Sequence, residues 1–169
     1  FINAYHKATS SVDAEVQFSV GYGHKEGSGS KDFTHDTGSF GFSAAKVVYN
    51  QYRQLVYGDE TQNFTFSTHT PDDIYFINVN RSRYRHNLKP GSLNLKLKNG
   101  VNTIQLTDDS VTSTGSAVIT NIGRQFNLVS GSSGVMLGSN VNQVGTTSSY
   151  GFVYPDAGLI VLNPDALSS

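Results

Sequence analysis

Cysteine is absent from this chain of 169 residues, and charged residues are scarce. Without a thiol, the chain can form neither a disulfide framework nor a thiolate metal site. Its apolar runs are all shorter than the roughly 20 residues of a membrane-spanning helix, so no membrane partner is expected. Only 15% of the residues are charged and the net charge is −1, which leaves little repulsion between neighbouring copies. This composition is typical of a protein that works inside an assembly, and also of a secreted β-domain.

The length suits a single β-rich domain over residues 1–169. The sequence opens on Phe1 without an initiator methionine, and Asn163 can start a new helix just before the sequence stops. We therefore expect a fragment of a longer polypeptide. Residues 110–169 carry only three charges, which belong to Arg124, Asp156 and Asp165. A surface with so little charge predicts burial against other subunits.

Hydrophobic patterning predicts a mainly β, antiparallel domain with a minor α component. Residues 12–20 alternate between apolar and polar side chains, as in a half-buried strand. Residues 74–79 are a β-branched and aromatic run that indicates a strand buried on both faces. Further short strands are predicted at 63–66, 117–122, 125–129, 150–154 and 159–162.

Two helices are predicted. An i, i+3, i+4 apolar stripe indicates one amphipathic helix near 43–57, which Ser43 can cap and Gly58 can end. Tyrosines on such a stripe are expected in the core rather than in a site. A short helix near 80–88 would begin at the cap Asn80 and place Arg81 and Arg85 on one face.

Asn99 and Gly100 predict a β-hairpin with a type I′ turn. A two-residue loop would pair Lys98 with Val101 and Leu95 with Ile104. In this register one face carries Leu93, Leu95, Ile104 and Leu106, and the other carries Asn94, Lys96, Lys98, Thr103 and Gln105. The faces separate cleanly by polarity, which predicts a half-buried hairpin.

Two long segments are predicted to be loops. Residues 21–42 are rich in glycine and serine, but their spacing matches no phosphate-binding motif. His24, His35 and Asp36 could ligate a metal in this loop, or they could be ordinary polar loop residues. Residues 130–149 carry no charge, so they are either a loop buried in an assembly or a flexible excursion.

Half of the twelve lysines and arginines lie within residues 81–98. These candidate partner-binding residues, called the basic face below, are Arg81, Arg83, Arg85, Lys89, Lys96 and Lys98. They could bind an acidic protein partner, or they could simply be solvated faces of a helix and a hairpin. Nucleic acid is not expected, because Tyr84 alone is interleaved for base stacking.

Motifs of catalysis are missing from the sequence, so no enzyme, no catalytic residue, no cofactor and no metal are predicted. No Gly-x-Ser-x-Gly elbow is present. Adjacent acids occur at Asp72-Asp73 and at Asp108-Asp109, next to predicted strands. Paired carboxylates could hydrolyse a glycoside across a cleft, but at strand ends they are more often turn and cap residues.

Several segments in a fixed order carry a family resemblance. They are Tyr22-Gly23-His24 with the glycines and serines of 27–30, Val48–Tyr52, Ile74–Arg81, Leu88–Ser92 and Gly151–Leu162. This set, over residues 18–167, resembles large virion structural proteins of tailed phages, particularly T4-like phages of marine cyanobacteria. The resemblance implies a structural role in the virion, in the tail or baseplate. It implies other virion proteins as partners, in a homo- or hetero-oligomer, and no catalytic residues.

Two rival hypotheses remain. The chain could be a carbohydrate- or receptor-binding β-domain of a phage tail fibre, with Tyr22, Tyr150 and Tyr154 as exposed stacking platforms. It could also be an enzyme such as a depolymerase, which a repeating chain of parallel β-coils would favour. The sequence contains no internal repeat of that kind.

Overall fold

The computed structural model describes residues 1–29, 43–112, 117–137 and 149–167. They form a curled, half-barrel sheet of antiparallel strands with two helices, so the predicted mainly β class is confirmed. The strands are β1 (Ile2–Tyr5), β2 (Val16–His24), β3 (Asp73–Val79), β4 (Leu95–Asn99), β5 (Asn102–Asp108), β6 (Val118–Thr120), β7 (Gly123–Ser132), β8 (Val135–Met136), β9 (Gly151–Tyr154) and β10 (Leu159–Leu162). The helices are α1 (Ala44–Tyr57) and α2 (Pro164–Leu167). Within these ranges, no helix combines the length and the apolar character needed to cross a membrane.

The strand order across the sheet is β1-β2-β3-β10-β9-β7-β5-β4, and β6 and β8 both pair with β7. Strands β9 and β10 lie near the middle, and every residue in them is buried. Their continuous apolar sequence suits this position, because both faces of the central sheet are covered. β1 and β4 are the two ends of this order in the described part of the chain.

Helix α1 confirms the amphipathic helix predicted near 43–57. The Ser43 hydroxyl accepts from the Lys46 N–H at 3.2 Å, and Gly58 ends the helix with φ 70°. The buried side chains are Ala45, Tyr49, Tyr52 and Val56. Leu55 is 46% exposed, so the buried stripe is narrower than the sequence predicted.

Glycine in β2 lets α1 approach the sheet closely. A Cβ atom on Gly23 would lie 2.9 Å from the backbone nitrogen of Tyr49. This close approach stacks the Tyr52 ring on Phe76 of β3, with centroids 4.0 Å apart. The helix therefore rests on β2 and β3 and covers one face of the sheet.

The core lies on both faces of the curled sheet. On the α1 side it contains Tyr49, Tyr52, Val56, Phe64, Phe66, Ile74, Phe76, Phe152, Tyr154, Leu159 and Val161. On the other side it contains Ile77, Leu106, Leu128, Val153, Ile160 and Leu162. β3 is less enclosed than predicted, because Tyr75 is 39% exposed.

The predicted strand over 12–20 is wrong in its first four residues. Turns occupy this part, with Ser11 donating to the Ala8 carbonyl at 2.9 Å and Ala14 donating to Ser11 at 3.1 Å. Val12 is fully exposed, and β2 begins only at Val16. Local hydrogen bonds here prevail over apolar alternation.

The predicted loop boundaries also change. β2 runs to His24, so the predicted loop over 21–42 begins inside a strand, and residues 30–42 lie outside the described part. Likewise β7 and β8 occupy much of 130–136, and residues 138–148 lie outside the description.

The β4–β5 hairpin has the predicted faces but a different register. Leu95 pairs with Leu106 and Leu97 with Ile104, two residues away from the predicted pairing. Gly100, with φ 59°, is the first loop residue, the place of glycine in a type II′ turn. Because side chains alternate with a period of two, a shift of two residues leaves the apolar and polar faces intact.

Several smaller predictions are settled by the structure. Residues 63–66 are not a strand; only a single bridge joins Phe66 to His69, although Phe64 and Phe66 are fully buried. The turn between β6 and β7 falls at 121–122, two residues earlier than predicted. The strands predicted at 150–154 and 159–162 are confirmed as β9 and β10, and the new helix is confirmed as α2.

Candidate interaction surfaces

The segment that carries the basic face does not form the helix predicted near 80–88. Asn80 caps a single 3-10 turn, Arg81–Arg83, and its side chain accepts from the Ser82 N–H at 3.0 Å. Tyr84 is already extended, with φ −140° and ψ 153°. Leu88 then donates to the Pro155 carbonyl at 2.9 Å, in the turn between β9 and β10. Bonds to that turn replace the helical bonds that the spacing predicted.

Two arginines of the basic face are held by intramolecular contacts. Arg81 donates to the carbonyls of Tyr84 and Arg85, at 2.5 and 2.6 Å, and its guanidinium lies 4.6 Å from the centre of the Tyr84 ring. Arg83 forms an ion pair with Glu15, from the turn before β2. The contacts of Arg81 fix the backbone of the segment locally, and the Arg83–Glu15 pair joins it to the turn before β2.

The other four cations of the basic face have exposed side chains. Among the described residues, none forms an ion pair with the side chains of Arg85, Lys89, Lys96 or Lys98. Lys96 and Lys98 lie on the polar face of β4, the edge strand. Lysines on an edge oppose pairing with another strand, so this edge favours a polar or acidic neighbour.

The opposite edge of the sheet carries exposed apolar side chains. Ile2 is 76% exposed, and Phe18 and Tyr75 are each 39% exposed. The register places all three on the face that carries Val20 and Ile77, because residues paired across antiparallel strands share a face. We call Ile2, Phe18 and Tyr75 the apolar strip.

The three tyrosines proposed as stacking platforms differ in exposure. Tyr154 is fully buried, so its predicted exposure is wrong. Its hydroxyl donates to Gln125 Oε1 at 2.8 Å, and burial raises its pKa well above the usual value. Tyr22 and Tyr150 are half-buried, and Tyr22 packs on Tyr75 with ring centres 5.4 Å apart. The predicted arrangement of three exposed platforms is therefore not present.

The acid pair Asp108-Asp109 accepts hydrogen bonds from the backbone of distant segments. Asp108 is buried and accepts from the Gly91 N–H at 2.6 Å. Asp109 accepts from the N–H and the side-chain amide of Asn127, at 2.9 and 2.8 Å. These contacts hold the 84–94 segment and β7 against the end of β5, which gives both acids a structural role.

A cluster of histidine and aspartate lies at one end of β2 and β3. His69 Nε2 lies 2.6 Å from Asp165 Oδ2, and Lys25 lies 2.6 Å from Asp72. Burial, with the charge of Asp165, raises the pKa of Asp73. His24 borders the same pocket. His35 and Asp36, its suggested metal-binding partners, lie outside the described residues, which contain no grouping of three or more ligands able to hold a metal.

A cleft that the sequence analysis missed lies between the end of α1, the 62–70 segment and the β6–β7 hairpin. It has a volume of about 630 Å³, and its lining includes Gln62, Asn63, Thr65, Thr120, Asn121 and Gln125. We call it the neutral cleft, because every described residue that lines it is uncharged. The lining comes from segments far apart in the chain, so no local motif could have indicated it.

Comparison with protein-family models, with curated proteins and with solved structures found no significant match for the chain.

Proposed function

We propose that this chain is a structural component of a tailed-phage virion, where it packs against other subunits of the tail or baseplate. The observation that carries the proposal is that exposed cationic side chains lie at one end of the described sheet and exposed apolar side chains at the other. The basic face lies at the β4 end, and the apolar strip lies at the β1 end. The family resemblance supplies the virion as the place of assembly.

The basic face supports contact with an acidic neighbouring subunit. Arg85, Lys89, Lys96 and Lys98 are exposed and lie within 85–98, a span of the sequence that carries no acidic residue. A concentrated patch of one sign steers a complementary surface and fixes its orientation. Such a contact would weaken as salt is raised, because exposed charges are screened.

The apolar strip supports a second contact with a neighbouring subunit. Three large side chains exposed on one face of neighbouring strands are an apolar surface that burial would stabilise, by about 25 cal/mol for each Å² removed from water. The strip lies beside β1, an end of the strand order in the described part of the chain, where backbone groups can also bond to another strand. A virion subunit that covers β1 would bury both.

Quantitative mass spectrometry of purified phage particles and isolated tails tests the proposal. We expect peptides of this chain in the tail fraction, at a low copy number relative to the major capsid protein. Absence from the particles would overturn the virion assignment. A copy number comparable to the capsid protein would place the chain in the capsid, tube or sheath instead of the baseplate.

Charge reversal on the basic face tests the mode of packing. Lys96→Glu with Lys98→Glu should reduce incorporation into particles, while the isolated chain keeps its stability because both side chains are exposed. Lys46→Glu, at a half-buried lysine in α1, is the control for charge reversal outside the basic face, since Lys46 forms no ion pair with any described residue. Equal incorporation of all these variants would remove the basic face from the interface.

A further inference from the structure

The neutral cleft is a candidate binding site independent of the proposed packing surfaces. Its volume, about 630 Å³, lies within the roughly 300–1,000 Å³ typical of pockets that hold small ligands. One wall is the end of α1, with Val56 and Tyr57, and another is β6, with Ile119. These two walls belong to regular elements, and the 62–70 segment and the β6–β7 turn complete the lining.

The polar groups in the cleft are amides and hydroxyls with unused hydrogen-bonding capacity. Within the described part of the chain, the side-chain amides of Gln62 and Asn121 have no hydrogen-bond partner. Asn63 Oδ1 accepts from Arg53 at 3.2 Å, and Gln125 Oε1 accepts from Tyr154, which leaves the NH₂ groups of both as donors. A side-chain amide offers two donors and one acceptor oxygen, so these four residues can bind a ligand that has many hydroxyls.

Apolar surface lies beside these groups. The half-buried Tyr57 and the buried Phe152 border the cleft, and Ile119 is 73% exposed at β6. A pyranose ring has one or two faces made of C–H groups and a rim of hydroxyls. The apolar surface of Ile119 and Tyr57 can contact the C–H face of such a ring, and the uncharged amides can bind its hydroxyls.

We propose that the neutral cleft binds a neutral saccharide through the amides of Gln62, Asn63, Asn121 and Gln125. An ionised ligand would find no charged partner among the described lining residues, and it would lose solvation without compensation. No carboxylate lies among those lining residues, and glycoside hydrolysis usually needs two. The activity proposed is therefore binding without cleavage.

Amide NMR titration of the 18.3 kDa chain tests the inference. The probes are maltotriose, cellotriose and tri-N-acetylchitotriose, with trigalacturonic acid as the charged comparison. We expect one neutral trisaccharide to shift the signals of 62–65, 118–121 and 125, with a dissociation constant on the order of 1 mM, because each exposed hydrogen bond contributes little net affinity.

Two variants test whether the amides carry the binding. Gln62→Ala with Asn121→Ala should weaken binding about tenfold, and both side chains are exposed, so the fold is kept. Gln54→Ala is the matched control, since it removes an exposed amide from α1 outside the cleft and should bind as the native chain does.

Four results would overturn the inference. They are no shift with any neutral trisaccharide, shifts confined to the surroundings of Tyr22 and Tyr150, undiminished affinity of the double variant, and tighter binding of trigalacturonic acid. None of them would affect the virion proposal, because the particle experiment does not depend on the cleft.

Discussion

The ion pair between Arg124 and Asp156 allows a quantitative test of the fold. Asp156 Oδ2 accepts from the Arg124 N–H at 2.9 Å and from its Nε at 3.1 Å, while Oδ1 accepts from an arginine terminal nitrogen at 2.6 Å. Asn87, in the 84–94 segment, contacts the same carboxylate at 3.5 Å. One side chain thus joins the β9–β10 turn, the start of β7 and the segment of the basic face.

The magnitude follows from the pKa of Asp156, which the Arg124 guanidinium and the hydrogen bonds lower from 3.8 to about 2. This difference corresponds to at most about 2.4 kcal/mol of free energy of unfolding. The Arg124 and Asp156 side chains are 38% and 31% exposed, so solvent screening reduces the expected contribution to about 1 kcal/mol.

The pH dependence has a defined sign. Because the folded-state pKa lies below the unfolded value, the stabilisation is fully present above about pH 4 and is lost as the pH falls toward 2. We therefore expect Asp156→Asn to cost about 1 kcal/mol at neutral pH, and the difference from the native chain to shrink in acid.

Urea unfolding at several pH values, followed by circular dichroism, measures this difference. Glu60→Gln is the matched control, because Glu60 is exposed and makes no ion pair with any described residue. Parallel stability profiles of the native chain and Asp156→Asn between pH 7 and 3 would refute the reasoning. An equal effect of Glu60→Gln would assign the change to net charge alone.

Three further predictions concern packing and buried polar groups. Gly23→Ala should destabilise the chain by about 1–3 kcal/mol in thermal unfolding, because the new Cβ would lie 2.9 Å from a backbone nitrogen of α1; an unchanged Tm would show that the helix does not rest on the strand. Burial raises the pKa of Tyr57 to about 12. In an ultraviolet titration, Tyr57→Phe should therefore lack one phenol that ionises near pH 12 in the native chain. The native chain should lose stability as the pH rises from 10 to 12, and the variant should lose less. Loss of a phenol that ionises near pH 10 would contradict this. Asp108→Ala should cost about 1–3 kcal/mol in urea unfolding for each backbone N–H left without an acceptor. Asp72→Ala, at an exposed ion pair, should cost clearly less, and a similar cost at both positions would contradict the structural role of the buried acid.

Patterns confined to one element were predictable from the sequence. Helix α1 was identified because its cap, its apolar stripe and its terminal glycine all agree, and they lie within 16 consecutive positions, 43–58. The faces of the β4–β5 hairpin were identified for the same reason. Its register was not, because Asn99-Gly100 and Gly100-Val101 both provide a turn, and the two resulting registers bury the same faces.

Features that depend on distant segments could not be predicted. The helix near 80–88 has suitable local spacing, but Leu88 bonds to Pro155 instead of to its own segment. Tyr154 was expected at the surface but is fully buried. Its burial follows from the position of β9 between β10 and β7, which its neighbours in sequence do not reveal. The neutral cleft combines residues from 56 to 152, and none of its parts has a recognisable pattern alone.

The unlike edges of the sheet limit how copies of this chain can join. Continuous growth by strand addition requires one edge of each copy to pair with the other edge of the next. Lys96 and Lys98 on β4 oppose such pairing, whereas the β1 edge carries no lysine within Ile2–Tyr5. If two copies paired at β1 around a twofold axis, the outer strand of each sheet in the described part of the chain would be β4, with Lys96 and Lys98. Strand addition beyond such a pair would then have to occur at a lysine-bearing edge, which disfavours growth into a fibre.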